Sequence, residues 1–329
     1  MNSQAQAPGH GIRVTPAHVL RHTPAGARSL GREAALVDIA QDLLLRELSD
    51  VGLMNDLVFK GGTALRKLYA GNAGRFSLDL DFSVRDVGTQ SDDVLDLLQE
   101  HVAGLMIGPF SYDIATRRGK RHLLMSSATL GAAESLSSKL DVSSPPWLEP
   151  VDRSWVPMPV HATYGGPLPL LPVVRLEENL AEKIARLNRV TPARDMYDLA
   201  WVADHHLRSG LDTDLIRRLA VLKVWVDNCG VSTHDTTWPA AHSGAPFDPA
   251  RWLRQRDPKD YDEDDIGVLA VPAPKFEALS AAISSSYQFL AALDADEQVL
   301  ARAQQADRSL ALRLLQQLPG GRLADIQLR

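Results

Sequence analysis

At 329 residues the chain is long enough for two structural units, given about 100–200 residues per domain, and its 45% apolar against 23% charged residues exclude disorder as the dominant state. A single cysteine, Cys229, excludes an internal disulfide framework and a multi-thiolate zinc site, and fits a reducing compartment. The formal charge of −6, from 35 Lys and Arg against 41 Asp and Glu, excludes a globally basic coat, so any contact with nucleic acid is local.

Met1 to His10 lacks the charged and apolar regions of a secretory signal, and no apolar run approaches the ~18 residues of a membrane helix; a soluble, cytoplasmic chain with no membrane partner is expected. Residues 1–30, with Pro8, Pro16, Pro24 and little periodicity, read as a loose arm with at most short turns. From Gly31, Ala34, Leu36, Ile39, Leu43, Leu44 and Leu48 recur at helical spacing and predict an amphipathic helix to about Val51. Leu57-Val58-Phe59 predicts a short strand, Lys60-Gly61-Gly62-Thr63 a tight turn, and Ala64, Leu65, Leu68 and Tyr69 a helix that Gly71 to Gly74 breaks. Phe76 to Val84 alternates apolar and polar side chains at period two, the pattern of a half-exposed strand. Residues 91–106 read as helical. Phe110–Thr116, His122–Leu130 and Leu136–Val142 predict three strands, the first two joined by the basic hairpin turn Arg117-Arg118-Gly119-Lys120-Arg121. Residues 143–172 are rich in proline and glycine and predict an irregular connection or edge. Beyond Arg175 the chain reads as helical except over 229–271, a polar stretch with the acidic run Asp260 to Asp265 that predicts a long surface loop. The fold class is α+β: a flexible arm over 1–30, a mixed α/β core over 31–172 and a helical domain over 173–329.

Asp79 and Asp81, one residue apart on a strand, project from the same face with Cα atoms about 6.5–7 Å apart, leaving Leu78, Leu80 and Phe82 for the other face. Two carboxylates within about 4 Å repel by roughly 4 kcal/mol at an effective dielectric near 20, which a hard divalent cation relieves. The alternative is a pair of solvated aspartates. Asp141, on Ser138-Lys139-Leu140-Asp141-Val142, is either an exposed strand-end acid or a third carboxylate completing a two-Mg²⁺ site. Gly61-Gly62-Thr63 stands between strand and helix, where backbone N–H groups favour an anion and Thr63 can donate or cap; it is either a phosphate cradle or an ordinary capped turn. Its spacing matches neither a P-loop nor a Rossmann fingerprint.

In the helical half, Leu176, Leu180, Ile184 and Leu187 define a buried stripe, and Lys183 falls about 20° outside it. Lys183 either snorkels to water or meets an anion from the protein or a bound phosphate. Glu182 and Arg186 read as a surface i,i+4 pair. Asp198, off the apolar face formed by Met196, Leu199, Ala200, Ala203 and Leu207, takes either Arg194 or Lys183 as its cation. The basic turn Arg117 to Arg121 is either a solvated hairpin tip or a grip on RNA phosphates.

Phe59 to Leu65, Arg75 to Phe82, Lys139 to Asp141, Glu178 to Lys183 and Arg194 to Leu199 follow in order over about residues 55–205. Together these motifs resemble the AbiEii/AbiGii toxin family, which includes the mycobacterial MenT toxins and is a branch of the DNA polymerase β-like nucleotidyltransferase superfamily. The resemblance implies a nucleotidyltransferase-like mixed sheet with flanking helices, and a helical half that completes the active site. It also implies a metal-dependent transferase that moves nucleotides from an NTP to RNA, most often the 3′ end of tRNA, blocking translation and encoded beside a cognate antitoxin. Position by position it implies Asp79 and Asp81 as the Mg²⁺ (or Mn²⁺) pair with Asp141 as third carboxylate. Gly61, Gly62 and Thr63 become the phosphate-holding turn, with Lys60, Arg75 and Ser77 in support, and Lys183 and Asp198 the essential pair of the helical half. The competing functions are nucleotidyl transfer to a protein or small molecule, and a non-catalytic module that binds an antitoxin or a nucleotide.

Overall fold

The computed structural model describes residues 11–24, 27, 29–189, 192–229, 245–254 and 261–322. Contacts divide the chain into two compact units. The first runs through Pro145 and adds Asp152–Val173 and Val268–Val271; the second takes Pro146–Val151, Val174–Gly267 and the chain from Pro272 on.

The first unit opens with α1 (Pro16–His22), which corrects the loose arm expected there. Thr15 accepts from the His18 N–H at 3.4 Å, Pro16 presets the first helical φ, and His22 is buried against Asp38 at 2.7 Å. The next helix, α2 (Ser29–Asp50), buries Ala35, Ile39, Leu43, Leu45 and Leu48. It shares one core with Phe59 and Phe82 of the sheet and with Val94, Leu98 and Val102 of α4 (Ser91–Val102), each large side chain contributing about 1.5–3 kcal/mol. α3 (Gly61–Leu65) runs on through a wider, π-type turn at Arg66–Ala70.

The sheet holds β1 (Leu57–Lys60), β2 (Leu80–Val84), β3 (Met106–Ile107), β4 (Phe110–Arg117), β5 (Lys120–Ser127), β6 (Ala132–Ser143), β7 (Val151–Arg153) and β8 (Leu171–Val173), in the spatial order β3-β4-β5-β6-β2-β1-β8-β7. β1 is antiparallel to β2 and parallel to β8, and β2 is parallel to β6, so the sheet is mixed. β4 and β5 turn on Arg118 (φ +50°) and Gly119 (φ +73°), the left-handed pair a two-residue hairpin needs. β5 ends at Ser127, short of the expected Leu130, which is buried in the turn that follows.

The second unit is helical: α5 (Leu176–Arg186), α6 (Ala193–His205), α7 (Thr213–Cys229), α8 (Pro249–Arg254), α9 (Phe276–Ser286), α10 (Ala295–Leu300) and α11 (Arg308–Gln316). α5 packs on α7, and α6 on α9. Glu178 is buried and accepts from the Trp147 and Leu148 N–H groups at 2.8 and 2.9 Å while pairing with Lys223 at 3.1 Å. The surface loop expected over 229–271 is corrected at 247–254, where α8 buries Trp252 and Leu253 beside Phe247. Residues 230–244 and 255–260, including Asp260, lie outside the described residues. Among the described residues no helix is long and apolar enough to cross a membrane.

Candidate active site

In the first unit three strands bring their ends into one row. β1 pairs with β2 so that Lys60 stands opposite Asp81, and β2 pairs with β6 so that Asp81 stands opposite Asp141. Directly paired residues share a face, so Lys60, Asp81 and Asp141 point the same way on neighbouring strands about 4.8 Å apart. Lys139, two residues before Asp141, reaches its carboxylate at 3.4 Å. The strand expected from Phe76 is shorter, however. β2 begins at Leu80, Asp79 lies one residue outside it, and Leu78 is 42% exposed rather than packed beside Leu80 and Phe82.

The reason is visible in the hydrogen bonds. Gln41 of α2 donates to the Leu78 carbonyl at 2.9 Å, Ser138 of β6 donates to the same oxygen, and Thr63 donates to the Asp79 carbonyl and, at 3.5 Å, to that of Ser77. Side chains thus occupy the acceptors that a neighbouring strand would have used, so the backbone at 77–79 leaves strand geometry while remaining fixed. Thr63 therefore positions Asp79, and it does not cap α3, whose N-cap residue is Lys60.

The glycine turn is pressed onto Asp81. Gly61 has φ +79°, and a Cβ there would collide with the Asp81 carboxylate; at Gly62 a Cβ would meet the Arg75 guanidinium and come within 3.2 Å of Ser77 Oγ. Only glycine permits both the left-handed backbone and the close approach. Lys60, Gly61, Gly62, Thr63, Arg75, Ser77, Asp79, Asp81 and Asp141 are brought together in the first unit.

The Asp81 carboxyl is held above the ordinary aspartate range, first by burial and then by the Asp79 carboxylate. Lys60 and Lys139 oppose the shift and Asp141 adds to it. Donor type and charge both suit a hard divalent cation, which would relieve that repulsion. Among the described residues no three His, Cys, Asp or Glu side chains form a ready-made metal cage. Mg²⁺ does not require one, because waters and substrate phosphates commonly complete a shell begun by one or two carboxylates.

In the second unit Lys183 is buried on α5 and pairs with two acids of α6, Asp195 at 3.0 Å and Asp198 at 2.9 Å. It does not snorkel. Arg194 meets Asp265 at 3.7 Å instead of Asp198, and Arg186 meets Asp195 at 3.1 Å, while Glu182 reaches Lys223 at 3.4 Å rather than Arg186. Asp195 and Asp198, three residues apart on α6, both reach Lys183, while Arg194, although i,i+4 to Asp198, pairs with Asp265.

Reading the sequence missed Gln41, Ser138, Lys139 and Asp195. A signal existed for Gln41: with Asp38 and Asp42 it forms an i, i+3, i+4 set on α2, buried at 0–1% exposure.

A mixed sheet with flanking helices, carrying paired acids beside a glycine turn, defines a nucleotidyltransferase-like α+β protein. A family model described as the nucleotidyl transferase AbiEii toxin of type IV toxin–antitoxin systems matches residues 42–282, and the chain belongs to that family. It is similar to MenT4, a nucleotidyltransferase toxin from Mycobacterium tuberculosis H37Rv, at 36% identity and a TM-score of 0.78 over 93% of this chain and 99% of that one. JHP933 from Helicobacter pylori aligns at 17% identity and a TM-score of 0.37, covering 84% of this chain and 98% of that one. No curated protein sequence matches the chain.

Proposed function

We propose that this toxin nucleotidyltransferase is metal-dependent and moves a nucleotide from an NTP to RNA, at the 3′ acceptor end of tRNA, in the cytoplasm and under control of a cognate antitoxin. The observation that carries the reading is the row Asp81–Asp141, with Asp79 alongside, pressed against the glycine turn. Asp79, Asp81 and Asp141 would hold Mg²⁺ or Mn²⁺, which when bound neutralises the triphosphate and acidifies the acceptor hydroxyl. Gly61 and Gly62 bring backbone N–H groups near the triphosphate, with Lys60, Arg75 and Ser77 around them.

The acceptor 3′ oxygen attacks the α-phosphorus of the NTP. One O–P bond forms as the bond to the bridging oxygen breaks, pyrophosphate leaves, and Asp141 takes the hydroxyl proton. Lys183 and Asp198 serve the same reaction in this reading. Asp81→Ala is expected to abolish transfer of label from any of the four α-labelled NTPs to total tRNA, read on a denaturing gel, with the melting temperature maintained. Retained transfer would remove Asp81 from the reaction. Labelled protein in place of labelled RNA would reassign the acceptor.

A further inference from the structure

The solvent-facing side of the sheet carries charge in an order that the reaction alone does not require. On β6, Lys139 faces the same way as Asp141; β5 places His122 opposite Lys139, and β4 places Ala115 opposite His122 and Arg117 opposite Lys120. Moving from Asp81 and Asp141 away from the glycine turn, that face therefore presents Lys139, His122, Lys120 and Arg117. Arg117 and Lys120 are exposed, and His122 and Lys139 partly so. The opposite face of these strands is apolar and buried, through Ile114, Leu123, Met125, Leu136 and Leu140. The acid on the open face of the β4–β5 ladder is Asp113, opposite Leu124 and away from the hairpin tip. Arg121 belongs to the same basic turn but pairs with Thr116 on the other face, and its charge is spent on Thr116 at 2.5 Å and Asp96 at 3.3 Å.

We infer that this face is the track of the acceptor: a single-stranded polynucleotide, its 3′ hydroxyl at Asp81 and Asp141, leaves over Lys139, His122, Lys120 and Arg117, which meet successive phosphates. The inference rests on the transferase reading above and deepens it, because three cations and an imidazole in a row leading out of the site favour a polyanionic acceptor over a protein side chain or a neutral metabolite. Along β5, His122 and Lys120 stand ~6.5–7 Å apart, comparable to the repeat of an extended polynucleotide backbone, and the paired steps Lys139 to His122 and Lys120 to Arg117 cross strands about 4.8 Å apart.

The test uses the full chain with a fluorescent single-stranded oligoribonucleotide bearing a free 3′ hydroxyl, titrated over a range of salt. Each phosphate contact on a single strand contributes about 0.7 to the slope of log affinity against log salt. Arg117→Gln/Lys120→Gln is thus expected to lower the slope by about 1.4, weaken binding several-fold at low salt, and raise KM for RNA in transfer assays while KM for NTP holds. Arg121→Gln, on the opposite face, is expected to leave the slope unchanged. An unchanged slope in the double variant overturns the track, as does an equal fall in Arg121→Gln, which would mean a basic tip without direction. Failure of the full chain to bind the oligoribonucleotide overturns it too. If the full chain binds RNA and the double variant loses slope, yet no NTP is ever turned over, the track stands and the transferase reading fails.

Discussion

Lys67→Met is expected to destabilise the first unit more than any change on its surface. Lys67 Nζ donates to Asp42 Oδ1 at 2.5 Å, to Asp38 Oδ1 at 2.9 Å and to the Asp38 carbonyl at 3.0 Å, and all three residues are 0–1% exposed. Arg66 still meets Asp38 through two bonds at 3.0 and 3.1 Å, so the acid left without its cation is Asp42, with the Tyr164 hydroxyl at 2.7 Å and His161 at 3.5 Å. Stranding one member of a buried ion pair costs about 3–5 kcal/mol. At roughly 2–4 °C per kcal/mol for a unit of this size, the melting temperature should fall by about 6–20 °C.

The pH dependence has a definite sign. Burial would raise the Asp38 and Asp42 carboxyls, but the Arg66 and Lys67 cations hold Asp38 well below the ordinary range, and Lys67 with the His161 hydrogen bond holds Asp42 below it. A depressed carboxyl stabilises the fold above its unfolded value near 3.9, and that contribution is lost as pH falls through the folded value. The gap between wild type and Lys67→Met, measured by urea unfolding, should therefore be full at neutral pH and close below about pH 4. Lys67→Met/Asp42→Asn, which removes both charges, should recover at least half the loss. A single variant within 1 kcal/mol of wild type at pH 7 would refute the reasoning.

Asp81 titrates in the opposite sense: its raised carboxyl opposes folding once ionised, so stability from this group is present below about pH 4 and lost as pH rises through the folded value. Asp81→Asn should accordingly melt above wild type at pH 7 without metal, and millimolar Mg²⁺ should raise the melting temperature of wild type only; equal Mg²⁺ shifts would argue against a cation at that carboxylate. Thr63→Val removes the donor to the part-buried Asp79 carbonyl, at about 0.5–1.5 kcal/mol, and should lower kcat for NTP transfer while Thr63→Ser restores it. Glu178→Leu strands the Trp147 and Leu148 N–H groups, at about 1–3 kcal/mol each, and leaves Lys223 with Glu182 alone, so the second unit should lose at least about 2 kcal/mol by urea unfolding.

Periodicity made much of the fold legible before any coordinates. The apolar spacing of α2, the apolar run of β1 and the Arg118-Gly119 turn each encode local geometry in adjacent residues. What stayed illegible was polar and non-local. Asp38, Gln41 and Asp42 share one side of α2, a spacing that marks a polar face without naming its partners, since Arg66, Lys67 and Leu78 lie 25 to 37 residues away. The same blindness made Phe76–Val84 look like one strand, since alternation cannot reveal that Gln41, Ser138 and Thr63 take up the carbonyls of Ser77 to Asp79.

These two hidden features meet at the glycine turn. One buried network grips Arg66 and Lys67, immediately after α3, and the other grips the backbone of Asp79, while the turn between them touches Asp81. A turn held from both sides lets Gly61 keep a close approach to a carboxylate that burial and its neighbours already disfavour, and Gly62 its approach to Arg75 and Ser77. Relaxing either grip should loosen that approach before it unfolds the unit, which is why Thr63→Val and Lys67→Met are expected to differ: the first mainly in turnover, the second mainly in stability.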